Sequence, residues 1–154
     1  MRASIATLLA AMALAAPAVA QDTSATPNYG TMSLSSGFTS DPRVVSLRAG
    51  GSLAASGIGG SCTGFITNAP DVRLNYSAGS LPLILSVDSS ADTTLVVNAP
   101  DGRWYCNDDG GVNGSNPAIR FNTPMTGRYE IWIGTYRSGV SQPARLHVSE
   151  VSSQ

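Results

Sequence analysis

The side chains best equipped for chemistry gather in one short stretch, Trp104-Tyr105-Cys106-Asn107-Asp108-Asp109-Gly110-Gly111-Val112-Asn113-Gly114-Ser115-Asn116. Two carboxylates and several amides follow an aromatic run and are carried on glycine-rich backbone. Oxygen donors packed this way suit a hard cation such as calcium, which takes six to eight oxygen ligands. Asp108 and Asp109 lead that expectation, because neighbouring like charges oppose each other's ionisation until a cation neutralises them. Asn107 is expected to add a ligand oxygen, with turn formation as its competing role, one that Asn113 and Asn116 share. The spacing is neither that of an EF-hand nor that of a calcium-binding β-roll. Calcium is the expected cofactor.

Catalysis finds less support. His147 is the single histidine, and no Gly-x-Ser-x-Gly elbow exists to present a serine nucleophile. A histidine in the last strand, expected at a sheet edge, serves as a packing or surface residue far more often than as a base. Adjacent aspartates are also unsuited to glycoside hydrolysis, whose two carboxyls face each other across a cleft. No enzyme is expected. Trp104 and Trp132 offer a different chemistry: exposed side by side they would form a ligand platform for sugars, and turned inward they would be core.

The first twenty residues carry the features of an export signal. Arg2 supplies a positive start, an apolar run extends from Ile5 to Ala16, and Ala18-Val19-Ala20 fits the cleavage pattern. The expected mature chain begins at Gln21 and is periplasmic or secreted. The run is too short to span a bilayer, and no later stretch is apolar enough to do so. Export changes the meaning of the two cysteines, Cys62 and Cys106. In an oxidising compartment a disulfide is expected between them, since zinc would want further Cys or His ligands. Closing a loop of that length stabilises by about 4 kcal/mol in the chain-entropy view. All nine basic residues are arginine and are scattered among ten acidic ones, for a formal charge of −1. That balance excludes nucleic acid as a partner, which requires clustered cations.

Positioning the acidic stretch falls to strands. Sixteen glycines and nine prolines, against three phenylalanines, indicate short elements and frequent turns. Residues 21–30 are small and polar and are expected to form a flexible leader. Beyond them, runs rich in Val, Ile, Leu, Thr and Tyr recur between turn residues, which predicts strands over 31–35, 43–48, 62–66, 72–76, 81–87, 93–98, 103–106, 118–121, 127–136 and 144–148. In the longest, Tyr129, Ile131 and Ile133 share one face while Arg128, Glu130 and Trp132 share the other. Ten short strands at this spacing predict one all-β domain over residues 31–150, an antiparallel β-sandwich of jelly-roll type with almost no helix.

Five segments in order add a family resemblance: Asp92-Thr93-Thr94-Leu95-Val96-Val97, Ala99-Pro100-Asp101-Gly102, Asn107-Asp108-Asp109, Asn116-Pro117-Ala118-Ile119-Arg120-Phe121, and Gly127-Arg128-Tyr129-Glu130-Ile131-Trp132-Ile133. Together they resemble the bacterial pre-peptidase C-terminal domain family, over about residues 60–148. The resemblance implies a jelly-roll module that accompanies secreted peptidases and in some members binds calcium. It also implies that Asp92 stands beside the acidic loop as a third carboxylate ligand. The combined expectation is an exported, non-enzymatic binding or accessory module with a calcium site. Its expected partner is a secreted enzyme, an envelope protein or a polysaccharide. A secreted hydrolase or a carbohydrate-binding module are the alternatives.

Overall fold

Short β-branched runs between turn residues build eleven strands in the computed structural model, which describes residues 21–154. The expected signal at 1–20 lies outside the described residues. The strands are β1 (Thr31–Ser35), β2 (Arg43–Ala49), β3 (Leu53–Ala54), β4 (Phe65–Ile66), β5 (Val72–Ser77), β6 (Leu83–Asp88), β7 (Thr93–Asn98), β8 (Trp104–Asn107), β9 (Ala118–Phe121), β10 (Gly127–Thr135) and β11 (Gln142–Ser149). A single 3-10 turn, Ala55–Ile58, interrupts them.

One sheet runs β2-β11-β6-β9, and the other carries β5-β10-β7-β8. All pairs within these two foursomes are antiparallel. Two four-stranded sheets in this order make a jelly roll. Strand β1 extends the second sheet by lying parallel to β5. The small β3–β4 pair adds to it beyond the end of β5, where Thr135 of β10 meets Phe65.

The core lies between the sheets. Strands β6 and β11 contribute Leu83, Leu85, Val87, Leu146 and Val148, which meet Leu74, Leu95, Val97, Tyr129, Ile131 and Ile133 from the facing sheet. Each such side chain contributes about 1.5–3 kcal/mol through removal of apolar surface from water. The alternation in β10 therefore has its expected inner face.

The outer face of β10 is covered as well. Trp132 is fully buried in a second cluster with Ala55, Cys62, Ile66 and Val96, against which Ile58, Trp104 and Cys106 pack. Further along, Glu130 is 1% exposed and receives Arg73 at 2.6 Å and Arg128 at 2.9 Å on the same oxygen. Arg73 also donates to the carbonyls of Thr23 and Ala25.

Those bonds correct the flexible leader expected at 21–30. Asp22 N–H donates to Asn68, Asn28 N–H to Pro70 and Tyr29 N–H to Asp71, so the segment is fastened across the sheet. The reason is the buried ion pair beneath it. A guanidinium beside an apolar face needs acceptors for its remaining protons, and small polar residues can bring main-chain carbonyls close enough to supply them.

Asp71, just before β5, is 1% exposed. Its Oδ2 accepts from the Ile133 N–H at 2.8 Å and its Oδ1 from the Asn28 amide at 3.2 Å. Burial pushes its carboxyl up to about 7, and the two hydrogen bonds only partly offset that. A raised folded value means that the neutral acid suits the fold. The associated stability is complete below the unfolded value of about 3.9 and is lost as pH rises through about 7. Urea unfolding should therefore show this contribution fading between about pH 4 and pH 7. Asp71→Asn should flatten that slope; an unchanged slope in the variant would show that Asp71 does not cause it.

Candidate metal site

The acidic loop begins where β8 ends. Asn107 closes the strand, and its Oδ1 accepts from the N–H of Gly110 at 2.7 Å and of Ala118 at 3.0 Å. This corrects its expected role as a ligand. An oxygen with two amide donors already aimed at it is a loop fastener, the turn role that asparagine commonly takes.

The loop is then pulled onto the turn between β6 and β7. Asn116, buried at 3%, accepts from Thr93 Oγ1 at 2.7 Å and donates to the Ser89 carbonyl at 2.7 Å. Thr93 N–H donates to Ser115 O, and Val87 N–H to Pro117 O. Gly111 closes the far side. A Cβ there would lie 2.6 Å from the Asn116 carbonyl oxygen and 2.7 Å from that of Gln154, closer than any real side chain tolerates. Val112 N–H donates to the same Gln154 oxygen at 2.9 Å, and Gln154 N–H reaches Ser86 Oγ at 3.0 Å.

This stitching brings Asp92, Asp108 and Asp109 together, with one carboxylate oxygen from each lying within 4.8 Å of the others. Asp108 and Asp109 would face opposite ways on an extended strand, but the chain bends just after β8 and carries both into one cluster. Asp92 and Asp109 are exposed and Asp108 is half-buried. Asp108 Oδ1 is buried without a hydrogen-bond partner. Burial first, then the charges of Asp109 and Asp92, push the Asp108 carboxyl upward. Like charges about 4 Å apart cost from about 1 kcal/mol in water to about 4 kcal/mol at an effective dielectric constant of 20. Among the described residues no cation approaches the three acids in an ion pair. Three carboxylates supply three to six oxygens, which fits the larger part of a calcium shell.

The sequence pattern assigns no site role to Thr93 and favours a turn role over ligation for Asn116. Thr93 directly follows Asp92, a local signal that could have found it; Asn116 has no acidic neighbour in sequence, and its role comes from the long-range bond to Thr93.

The tryptophans do not form a platform. Trp132 is fully buried, and Trp104 packs on it with ring centroids 5.4 Å apart and planes inclined at 42°. The pairing of Trp132 with Val96, and of Val96 with Cys106, sets the three across the outer face of the sheet. There the Cys62–Cys106 disulfide, with Cα atoms 5.0 Å apart, draws the 55–62 segment over them. Ala55, Ile58 and Cys62 thus pack into the cluster that covers Trp132.

His147 does not lie at an edge. Strand β11 is flanked by β2 and β6, so the ring is buried at 6% and neither nitrogen has a hydrogen-bond partner. Burial, then the Arg145 charge, pushes its pKa down, with Asp88 opposing.

The fold and site define a jelly-roll sandwich in which the β6–β7 turn and the loop after β8 bring three carboxylates together. No family model matches the chain, and no curated protein matches it. Among solved structures it is similar to PliG from Aeromonas hydrophila, a periplasmic inhibitor of g-type lysozyme. The two are 18% identical over 77% of this chain and 96% of that one, with a TM-score of 0.39. At that score the likeness carries no argument about function.

Trp132→Ala should cost about 3–5 kcal/mol of unfolding free energy, the range for emptying a large aromatic site. Urea denaturation measures it. A cost below about 0.5 kcal/mol, typical of surface positions, would restore the platform.

Proposed function

We propose that this protein is an exported, non-enzymatic β-sandwich module that binds calcium through Asp92, Asp108 and Asp109 and serves as a binding or accessory component outside the cytoplasm. The observation that carries the reading is the convergence of three carboxylates from two separated segments, together with the orphaned Asp108 oxygen. A fold that spends Asn116, Thr93 and Gly111 on holding like charges together gains stability only if a cation completes the cluster. When bound, the ion supplies neutralising charge and a rigid link between the 89–92 turn and the 107–117 loop. Asp108 would hold it from the protected side, with Asp92 and Asp109 on the solvent side, leaving room for further oxygens. The exported part of the reading draws support from the disulfide, which persists in oxidising compartments, and from the signal-like first twenty residues. The non-enzymatic part draws support from His147, a buried ring on a strand flanked on both sides, whose burial disfavours the charged form.

The test is thermal unfolding with calcium and with chelator. A ligand that binds only the native state stabilises by mass action, about 2.7 kcal/mol at a free concentration 100-fold above Kd. For a domain of this size that raises Tm by several degrees. Magnesium should raise it less, because it demands strict octahedral geometry and sheds water reluctantly. Asp108→Asn and Asp109→Asn should each shrink the calcium shift, and in chelator each should be neutral or mildly stabilising through relief of repulsion. Identical melting curves in calcium and in chelator would overturn the reading.

A further inference from the structure

We infer that the cleft beside Asp92 binds an acidic saccharide, a chain bearing hexuronate units, with the bound cation bridging protein and sugar. This deepens the calcium reading above and rests on it. The cleft has a volume of about 380 Å³ and opens between the 89–92 turn and the β10–β11 hairpin, with Asp92, Tyr136, Arg137 and Gln142 in its wall. That size falls within the range of small-molecule sites, about 300–1,000 Å³. Asp92 belongs both to this wall and to the carboxylate cluster. A ligand in the cleft therefore lies next to the metal position.

Three side chains there are available for recognition. Tyr136 is 54% exposed, whereas Trp132 and Tyr129 are fully buried and Trp104 is partly covered. Arg137 is exposed and, among the described residues, makes no ion pair. Most other arginines are engaged: Arg73 and Arg128 on Glu130, Arg145 on Asp88, Arg103 on Asp101, and Arg48 and Arg120 on neighbouring side chains. The Gln142 amide, with two donors and an acceptor, completes the set.

These groups together select a chemistry. A planar guanidinium matches a carboxylate through paired hydrogen bonds. Without a cation, Asp92 would repel that carboxylate; a neighbouring cation reverses the sign. Three aspartates leave part of a six-to-eight-oxygen shell open, and vicinal hydroxyls on a rigid ring fill it at little entropic cost. The apolar face of the same ring lies on Tyr136, whose hydroxyl end stays in water. An acidic peptide offers carboxylates but no flat ring with flanking hydroxyls.

The experiment titrates a trigalacturonate into the full chain by calorimetry, in calcium and in chelator, while the thermal shift with calcium alone is recorded separately. Binding is expected in calcium and at least tenfold weaker in chelator. Tyr136→Ala and Arg137→Ala should each weaken it about tenfold or more while leaving the calcium thermal shift intact. Maltotriose and an aspartate tripeptide should bind at least tenfold more weakly than trigalacturonate. A normal calcium shift with no trisaccharide binding at millimolar concentration would overturn the inference alone, as would equal binding of either control. Binding that persists undiminished in chelator would overturn the bridge. Absence of the calcium shift would overturn the metal reading and the bridge with it.

Discussion

The structure depends on burying both faces of β10. Its inner face joins the sandwich core, as any jelly-roll strand must. Its outer face presents Glu130 and Trp132, a charge and a large aromatic, and both are buried. Two peripheral segments solve this in different ways. The 55–66 segment folds over Trp132 and is held by the Cys62–Cys106 bond. The 21–30 segment lends carbonyls to Arg73, which keeps the guanidinium against Oε1 of the buried Glu130 carboxylate. A buried charge stripped of its partners costs several kcal/mol. The N-terminal segment is thus a working part of the fold.

The same disulfide connects this packing to the acidic loop. Cys106 sits one residue before Asn107, so the covalent bond that closes the lid over Trp132 also holds the last turn of β8 from which the loop departs. From there Asn107 and Asn116 take over as fasteners. Amide side chains suit this work because they carry donor and acceptor without adding charge. The loop's shape is set by hydrogen bonds that do not involve its carboxylates. The three acids remain free for an ion, and their mutual repulsion is borne by the stitching around them. This division between neutral fasteners and unpaired carboxylates is what the calcium proposal draws on.

Much of the architecture was legible from pattern alone. Nine of the ten expected strands are present to within two residues at either end, because their β-branched runs and turn residues are local signals; of the run expected over 62–66 only Phe65–Ile66 pairs, the disulfide-bonded Cys62 lying outside the strand. Leu53–Ala54 and the following 3-10 turn escaped because two residues carry no period, and their pairing with Phe65–Ile66 is a long-range contact. Alternation in β10 placed the right residues on each face but said nothing of what lies above the outer one. For that reason Trp132 was readable as either core or platform. His147 was expected at an edge because it is in the last strand in sequence; jelly-roll wiring inserts that strand between β2 and β6. In the site, Asp108 and Asp109 were visible as a charge problem. Asp92 entered only through family resemblance, and Asn107 looked like a ligand because nothing in one dimension shows that its oxygen is already taken.

The most direct measurement of the central claim is equilibrium dialysis of the chelator-stripped protein against radioactive calcium. The account predicts one ion per chain in the wild type and little or none in a variant carrying Asp92→Asn, Asp108→Asn and Asp109→Asn, with the variant's circular dichroism spectrum unchanged. Absence of bound calcium in the wild type, or one ion per chain in both proteins, would contradict it.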